Sequence, residues 1–129
     1  MHKRQPLIVV IDDDLGILKS LEALLKAFDY RVALYESAEH FLSVNIDETP
    51  ACLIVDINLP DITGIELGRQ LLAAGLRLPT IFISGSTDPS WRRQAIELGC
   101  VAYIEKPFSP RVLIEALASA TGPNPFFEQ

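Results

Sequence analysis

The stretch Leu7-Ile8-Val9-Val10-Ile11-Asp12-Asp13-Asp14 decides how this chain reads. A continuous apolar run ends abruptly in three aspartates. Cys52-Leu53-Ile54-Val55-Asp56 repeats the pattern. Short runs without polar alternation are expected of parallel strands covered on both faces. If these two strands lie side by side, their terminal carboxylates converge at one edge of the sheet. Carboxylates packed that closely resist joint ionisation unless a cation sits among them. The pair of runs therefore predicts a metal-assisted acidic site.

Working outward, strand-like and helix-like patterns alternate five times. After Leu7–Ile11, the residues Leu15, Leu18, Leu21, Leu24, Leu25 and Phe28 recur at helical spacing, with Asp14 placed to cap the helix start. Residues 31–35 read as a second strand, and Ser37 caps a short helix from Ala38 to about Val44. The third strand is 52–56. A loop over 57–64 leads into a helix from Ile65 to Ala74, ended by Gly75. The fourth strand is 80–84. Asp88-Pro89 and Ser109-Pro110 are cap-proline pairs opening the last two helices, which end near Gly99 and Ala120. Residues 102–105 form the fifth strand between them.

Five strands alternating with five helices imply an α/β doubly wound parallel sheet. Right-handed crossovers leave few topologies, and the flavodoxin-like order 2-1-3-4-5 fits best. In that order strands one and three meet at the switch point, where ligands bind outside the carboxyl ends of the strands. One domain is expected over residues 1–122, with 123–129 a C-terminal tail or linker stub.

Composition narrows the function classes. The chain has 129 residues, 49% of them hydrophobic, and a formal net charge of -6. It is long enough for a substantial core. The acidic balance disfavours direct nucleic-acid binding, which calls for a basic stripe. Cys52 and Cys100 match no metal spacing and read as small buried residues in a reduced compartment. No leader pattern and no apolar run of about eighteen residues is present, so a cytoplasmic location without membrane association is expected.

Three more residues fall at strand ends on the acidic side: Ser84, Lys106 and, in the loop after strand three, Asn58. Clustered carboxylates with a nearby carbonyl suit a hard divalent cation, most simply Mg²⁺. A carboxylate can also attack phosphorus to give an aspartyl phosphate. A metal, a lysine and a hydroxyl are the groups that neutralise charge on the transferring phosphoryl oxygens.

Asp12-Asp13, Asp56, Ser84 and Lys106-Pro107, in this order and at these separations, resemble the response-regulator receiver domain of two-component signalling, in particular FixJ-type receivers. Leu59-Pro60, Thr63-Gly64, Ser84-Gly85 and Lys106-Pro107-Phe108 carry the same resemblance. It covers about Leu7 to Ala120.

The resemblance implies that Asp56 accepts a phosphoryl group from a sensor histidine kinase. Asp13 and Asp56 would ligate Mg²⁺ directly, Asp12 largely through water and Asn58 through its backbone carbonyl. Lys106 would pair with phosphoryl oxygens, Ser84 would swing its hydroxyl toward them, and Tyr103 would turn inward behind it. The bond before Pro107 would be cis, as such bonds belong before proline. The face built from helix four, strand five and helix five would then alter its preference for a second copy or an output partner. Such a protein is not an enzyme in the ordinary sense, but a phosphoacceptor that catalyses its own phosphorylation and dephosphorylation. Departures are mild: serine stands where threonine is common, and Asn58 replaces a basic or bulky residue. An amide there is expected to orient an attacking water and shorten the phosphorylated lifetime.

Two rival readings remain open on the residues. One is an aspartate-nucleophile phosphohydrolase of haloacid-dehalogenase type, although Asn58 stands where a second aspartate is expected. The other is a degenerate receiver that only binds proteins, although no member of the site is missing. Trp91 suits a partner surface and local packing equally. Arg92 and Arg93, adjacent in sequence, cannot share one helix face with each other. His40 is expected at the surface.

Overall fold

A computed structural model describes residues 5–45 and 47–122. The tail expected over 123–129 lies outside them. The elements alternate throughout: β1 (Leu7–Ile11), α1 (Leu15–Ala27), β2 (Arg31–Tyr35), α2 (Ala38–Ser43), β3 (Cys52–Asp56), α3 (Gly64–Ala73), β4 (Thr80–Ser84), α4 (Pro89–Glu97), β5 (Ala102–Glu105) and α5 (Pro110–Thr121). All five strands fall where the sequence places them. Helix ends differ by one or two residues, and the caps explain where they stop.

Each helix begins on a polar side chain that accepts otherwise unpaired backbone N–H groups. Asp14 accepts from Gly16 and Ile17, Ser37 from His40, Thr63 from Glu66, Asp88 from Ser90 and Ser109 from Val112. Thr63 moves the start of α3 forward to Gly64. Gly75 and Gly99, with φ of 82° and 78°, occupy the left-handed conformation that closes α3 and α4.

The sheet is parallel, in the order β2-β1-β3-β4-β5. Along β1, Ile8 pairs with Val32 and Cys52, and Ile11 pairs with Tyr35 and Val55. Alternate strand residues feed two cores. Ile8, Val10, Ile54, Ile81, Ile83 and Ile104 pack with Leu18, Leu21 and Leu25 of α1 and with Leu113, Ile114 and Leu117 of α5. Val9, Ile11, Leu53, Val55, Phe82 and Tyr103 pack with α2, α3 and α4 through Phe41, Ile65, Leu67, Leu71 and Ala95. Both sheet faces are thus buried, which is why the strands read as unbroken apolar runs. Fully burying each large side chain contributes roughly 1.5–3 kcal/mol.

The connections after β1 and β3 leave toward opposite faces, because α1 and α3 belong to different cores. Their divergence opens a crevice at the carboxyl ends of these two adjacent strands. Asp12 and Asp56 stand at that edge.

Candidate functional site

Asp12 follows the last residue of β1 and is fully buried, while Asp13 is exposed. Asp56 ends β3 and is buried. One carboxylate oxygen from each of Asp12, Asp13 and Asp56 lies within 4.8 Å of the other two. This is the convergence expected of two adjacent strands, and Asp14 stays out of it as the cap of α1.

Lys106 reaches the cluster from the far side of the crevice. Its Nζ donates to Asp56 Oδ2 at 3.0 Å and to Asp12 Oδ2 at 3.3 Å. Burial alone would lower the lysine pKa, but the hydrogen bond to Asp56 and the charges of Asp12 and Asp56 outweigh it and raise the net value. The opposite carboxylate oxygens are held by backbone. Asp14 N donates to Asp12 Oδ1 at 2.9 Å, and Asn58 N donates to Asp56 Oδ1 at 3.0 Å. Burial pushes the Asp12 carboxyl from 3.8 up to about 6, the Asp14 N–H opposes this, and the charge of Asp56 adds to it.

Two devices fix Asp56 and the loop after it. Gly64 N donates to Ile57 O at 2.9 Å, closing the loop onto the end of β3. A Cβ at Gly64 would lie 2.5 Å from the Asp56 carbonyl oxygen and 2.9 Å from Val55 Cγ1, so only glycine permits this approach. Asp61, from the same loop, accepts Glu39 N at 2.6 Å and ties the loop to the start of α2. Burial would raise the Asp61 pKa, but backbone N–H groups of Glu39, Ile62, Asp61 and Ala38 bring it below the usual carboxylate range.

Ser84, fully buried, closes β4. Its Oγ accepts Ser86 N at 3.0 Å, Ser86 Oγ accepts Asp88 N at 3.1 Å, and Asp88 Oδ1 accepts Ser90 N at 2.9 Å. A ladder of local side-chain bonds therefore runs from Ser84 into α4. Register places Glu105 opposite Ser84, and Lys106 N donates to Ser84 O at 2.7 Å. The Lys106–Pro107 peptide is cis. Tyr103 is buried on the α4 side of β5, and its hydroxyl has no hydrogen-bond partner among the described residues. Asn58 is exposed beside Asp56.

The structure gathers Asp12, Asp13, Asp56 and Lys106 directly, with Ser84 on the adjacent strand end. Outside the site, some expectations hold, some do not, and some links went unnoticed. Trp91 is half-buried against the α3–α4 core, which favours packing over a free surface. Cys52 is buried, but Cys100 is only half-buried. His40 is exposed, its ring edge-on to Tyr35. The Asp61 tether was missed because a hydrogen bond formed between separate segments leaves no local sequence signal. The Ser86 link is local and did leave one, in the two-residue spacing of Ser84, Ser86 and Asp88.

Three carboxylates within reach of one point form an oxygen donor set suited to a hard divalent cation, whose charge would also offset the cost of burying an ionised Asp12. Among the described residues no helix is long and apolar enough to cross a membrane.

Comparison with known proteins agrees with this geometry. The response regulator receiver domain profile matches residues 8–118. The response regulator protein TodT of Pseudomonas putida is 34% identical over 120 residues, which are 93% of this chain and 53% of TodT. The transcriptional regulatory protein FixJ of Rhizobium meliloti is 36% identical over 112 residues, 87% of this chain and 55% of FixJ. The chain thus spans about half the length of these relatives. A receiver protein from Pseudoalteromonas atlantica superposes with a TM-score of 0.84 at 30% identity, over 89% of this chain and 96% of its own. The BeF3-activated DrrB receiver domain does so with a TM-score of 0.78 at 29% identity, covering 89% and 96%. These matches lend no support to the phosphohydrolase or degenerate readings. The chain belongs to the response regulator receiver domain family of two-component signalling.

Proposed function

We propose that Asp56 is the phosphoacceptor of this receiver and that a sensor histidine kinase is its phosphodonor. A carboxylate oxygen of Asp56 attacks phosphorus, the P–N bond to the donor histidine breaks, and the imidazole keeps the electron pair. The observation that carries this reading is the placement of Lys106 Nζ, 3.0 Å from Asp56 and 3.3 Å from Asp12. That lysine is positioned to pair with a phosphoryl oxygen once the group joins Asp56.

Asp13 and Asp56 are the direct Mg²⁺ ligands in this reading, with Asn58 supplying a backbone carbonyl. Asp12, fully buried beside the exposed Asp13, acts largely through water in the same reading. Bound Mg²⁺ would supply positive charge to the phosphoryl oxygens. Ser84 donates its hydroxyl to the same oxygens, and its ladder into α4 carries the change outward. Tyr103 follows, and the α4–β5–α5 face takes up a second copy or an output partner. The domain works in the cytoplasm, does not contact nucleic acid itself, and catalyses its own phosphorylation. The Asn58 amide orients an attacking water and shortens the phosphorylated lifetime.

The test is calorimetric titration with beryllofluoride, which mimics a phosphoryl group. Saturable binding that requires Mg²⁺ and is lost in Asp56→Asn is expected. Binding indifferent to Mg²⁺ or to that substitution would sink the assignment.

A further inference from the structure

Arg92 lies on the first turns of α4 and touches two residues of β5 at once. Its Cζ stands 4.8 Å from the centre of the Tyr103 ring, and its Nη2 stands 3.6 Å from Glu105 Oε2. Tyr103 and Glu105 are two apart on one strand, so both side chains leave the same face of the sheet. The intervening Ile104 packs into the opposite core. Lys106 follows Glu105 directly. Arg92 thus holds the ring implicated in switching and the residue that precedes the lysine of the acidic site.

The Tyr103 ring is buried although its hydroxyl finds no partner among the described residues. An unpaired buried hydroxyl opposes that position, so other contacts must hold the ring in. Packing on the α3–α4 core supplies part of this. The guanidinium over the ring face supplies an attraction that operates only while the ring stays inward. Glu105 steers the guanidinium into place. At the N-terminus of α4, the ladder from Ser84 through Ser86 and Asp88 ends at Ser90, two residues before Arg92.

We propose that Arg92 is a positioning residue, a latch that keeps Tyr103 inward and so prepares the receiver to accept a phosphoryl group. The proposal rests on the phosphoacceptor reading of Asp56. Phosphoryl binding draws Ser84 toward Asp56 and favours the inward ring. A protein already holding the ring inward binds the group without first paying for that rearrangement. Loss of the latch lowers the inward population and weakens binding without touching the metal ligands.

The experiment compares wild type, Arg92→Lys, Arg92→Gln, Tyr103→Ala and the double variant Arg92→Gln/Tyr103→Ala. Mg²⁺ alone and beryllofluoride at saturating Mg²⁺ are titrated by calorimetry, and thermal unfolding confirms folding. Arg92→Gln should weaken beryllofluoride binding about three- to tenfold and leave the Mg²⁺ midpoint unmoved. Arg92→Lys should recover part of the loss. In the double variant the Arg92 effect should vanish, because the ring it holds is gone. Equal beryllofluoride midpoints in wild type and Arg92→Gln overturn the latch alone. An undiminished Arg92 effect without Tyr103 also overturns it. Failure of the wild type to bind beryllofluoride with Mg²⁺ overturns the phosphoacceptor reading, and the latch with it.

Discussion

Lys106 Nζ lies 3.0 Å from Asp56 Oδ2, so one ammonium group bridges the end of β3 and, through Asp12 at 3.3 Å, the end of β1. Both acids are buried, and the lysine compensates charges that would otherwise face each other across a few ångströms. Replacing it with a neutral residue leaves them uncompensated.

Lys106→Met is therefore expected to lower the melting temperature of the metal-free protein and to recover much of the loss on addition of Mg²⁺. Phosphorylation by acetyl phosphate should slow about ten- to a hundredfold, the worth of one charge-assisted hydrogen bond to the transferring group. Thermal melts with and without EDTA, with rates of acid-labile phosphate formation, check both halves.

Asp12 sets a pH dependence with an unusual sign. Its pKa is raised, from 3.8 unfolded to about 6 folded. The folded state binds the proton more tightly, so this contribution favours folding at low pH and is lost as pH rises through about 6. Lys106, raised above 10.5, contributes stability that is lost only in strongly alkaline solution. Between about pH 4 and pH 7 the difference between wild type and Asp12→Asn isolates the carboxyl. In EDTA, the variant should gain on wild type with rising pH, by at most about 3 kcal/mol. Mg²⁺ should shrink that gain, as read from urea unfolding midpoints.

Tyr103→Phe removes a buried hydroxyl that has no partner among the described residues. The phenylalanine ring keeps the packing on the α3–α4 side, so the unphosphorylated protein should gain about 1 kcal/mol in urea unfolding. A loss of stability would show that the hydroxyl is paired in solution.

Gly64→Ala meets the Asp56 carbonyl oxygen at 2.5 Å, a contact with backbone that no rotamer relieves. The expected cost is about 1–3 kcal/mol in chemical denaturation. The displaced strand end should also weaken Mg²⁺ binding, whereas Gly85→Ala, which meets nothing within 4 Å, should leave stability nearly unchanged.

The strands and their order were legible because burial on both faces wrote them as apolar runs, and the caps were legible because Asp14, Ser37, Asp88 and Ser109 act on residues two or three positions away. Thr63 was the exception: with Gly64 next to it, the start of α3 read one residue late. Asp12, Asp13, Asp56, Ser84 and Lys106 were legible through their positions at strand ends. The Asp61 tether to Glu39 and the Arg92 contacts with Tyr103 and Glu105 were not. Those arise where separate loops and helices are packed against each other, and neither periodicity nor spacing encodes which side chains then meet. Trp91 illustrates the same limit: its exposure depends on how α4 rolls against α3.

Formation of a phosphoaspartate at Asp56 is tested most directly by chemistry. The protein is incubated with acetyl phosphate and Mg²⁺, and its phosphate is then challenged with hydroxylamine, which cleaves acyl phosphates. Wild type should take up phosphate that hydroxylamine removes, and Asp56→Asn should take up none. Equal uptake by Asp56→Asn, or phosphate that resists hydroxylamine, would contradict the account.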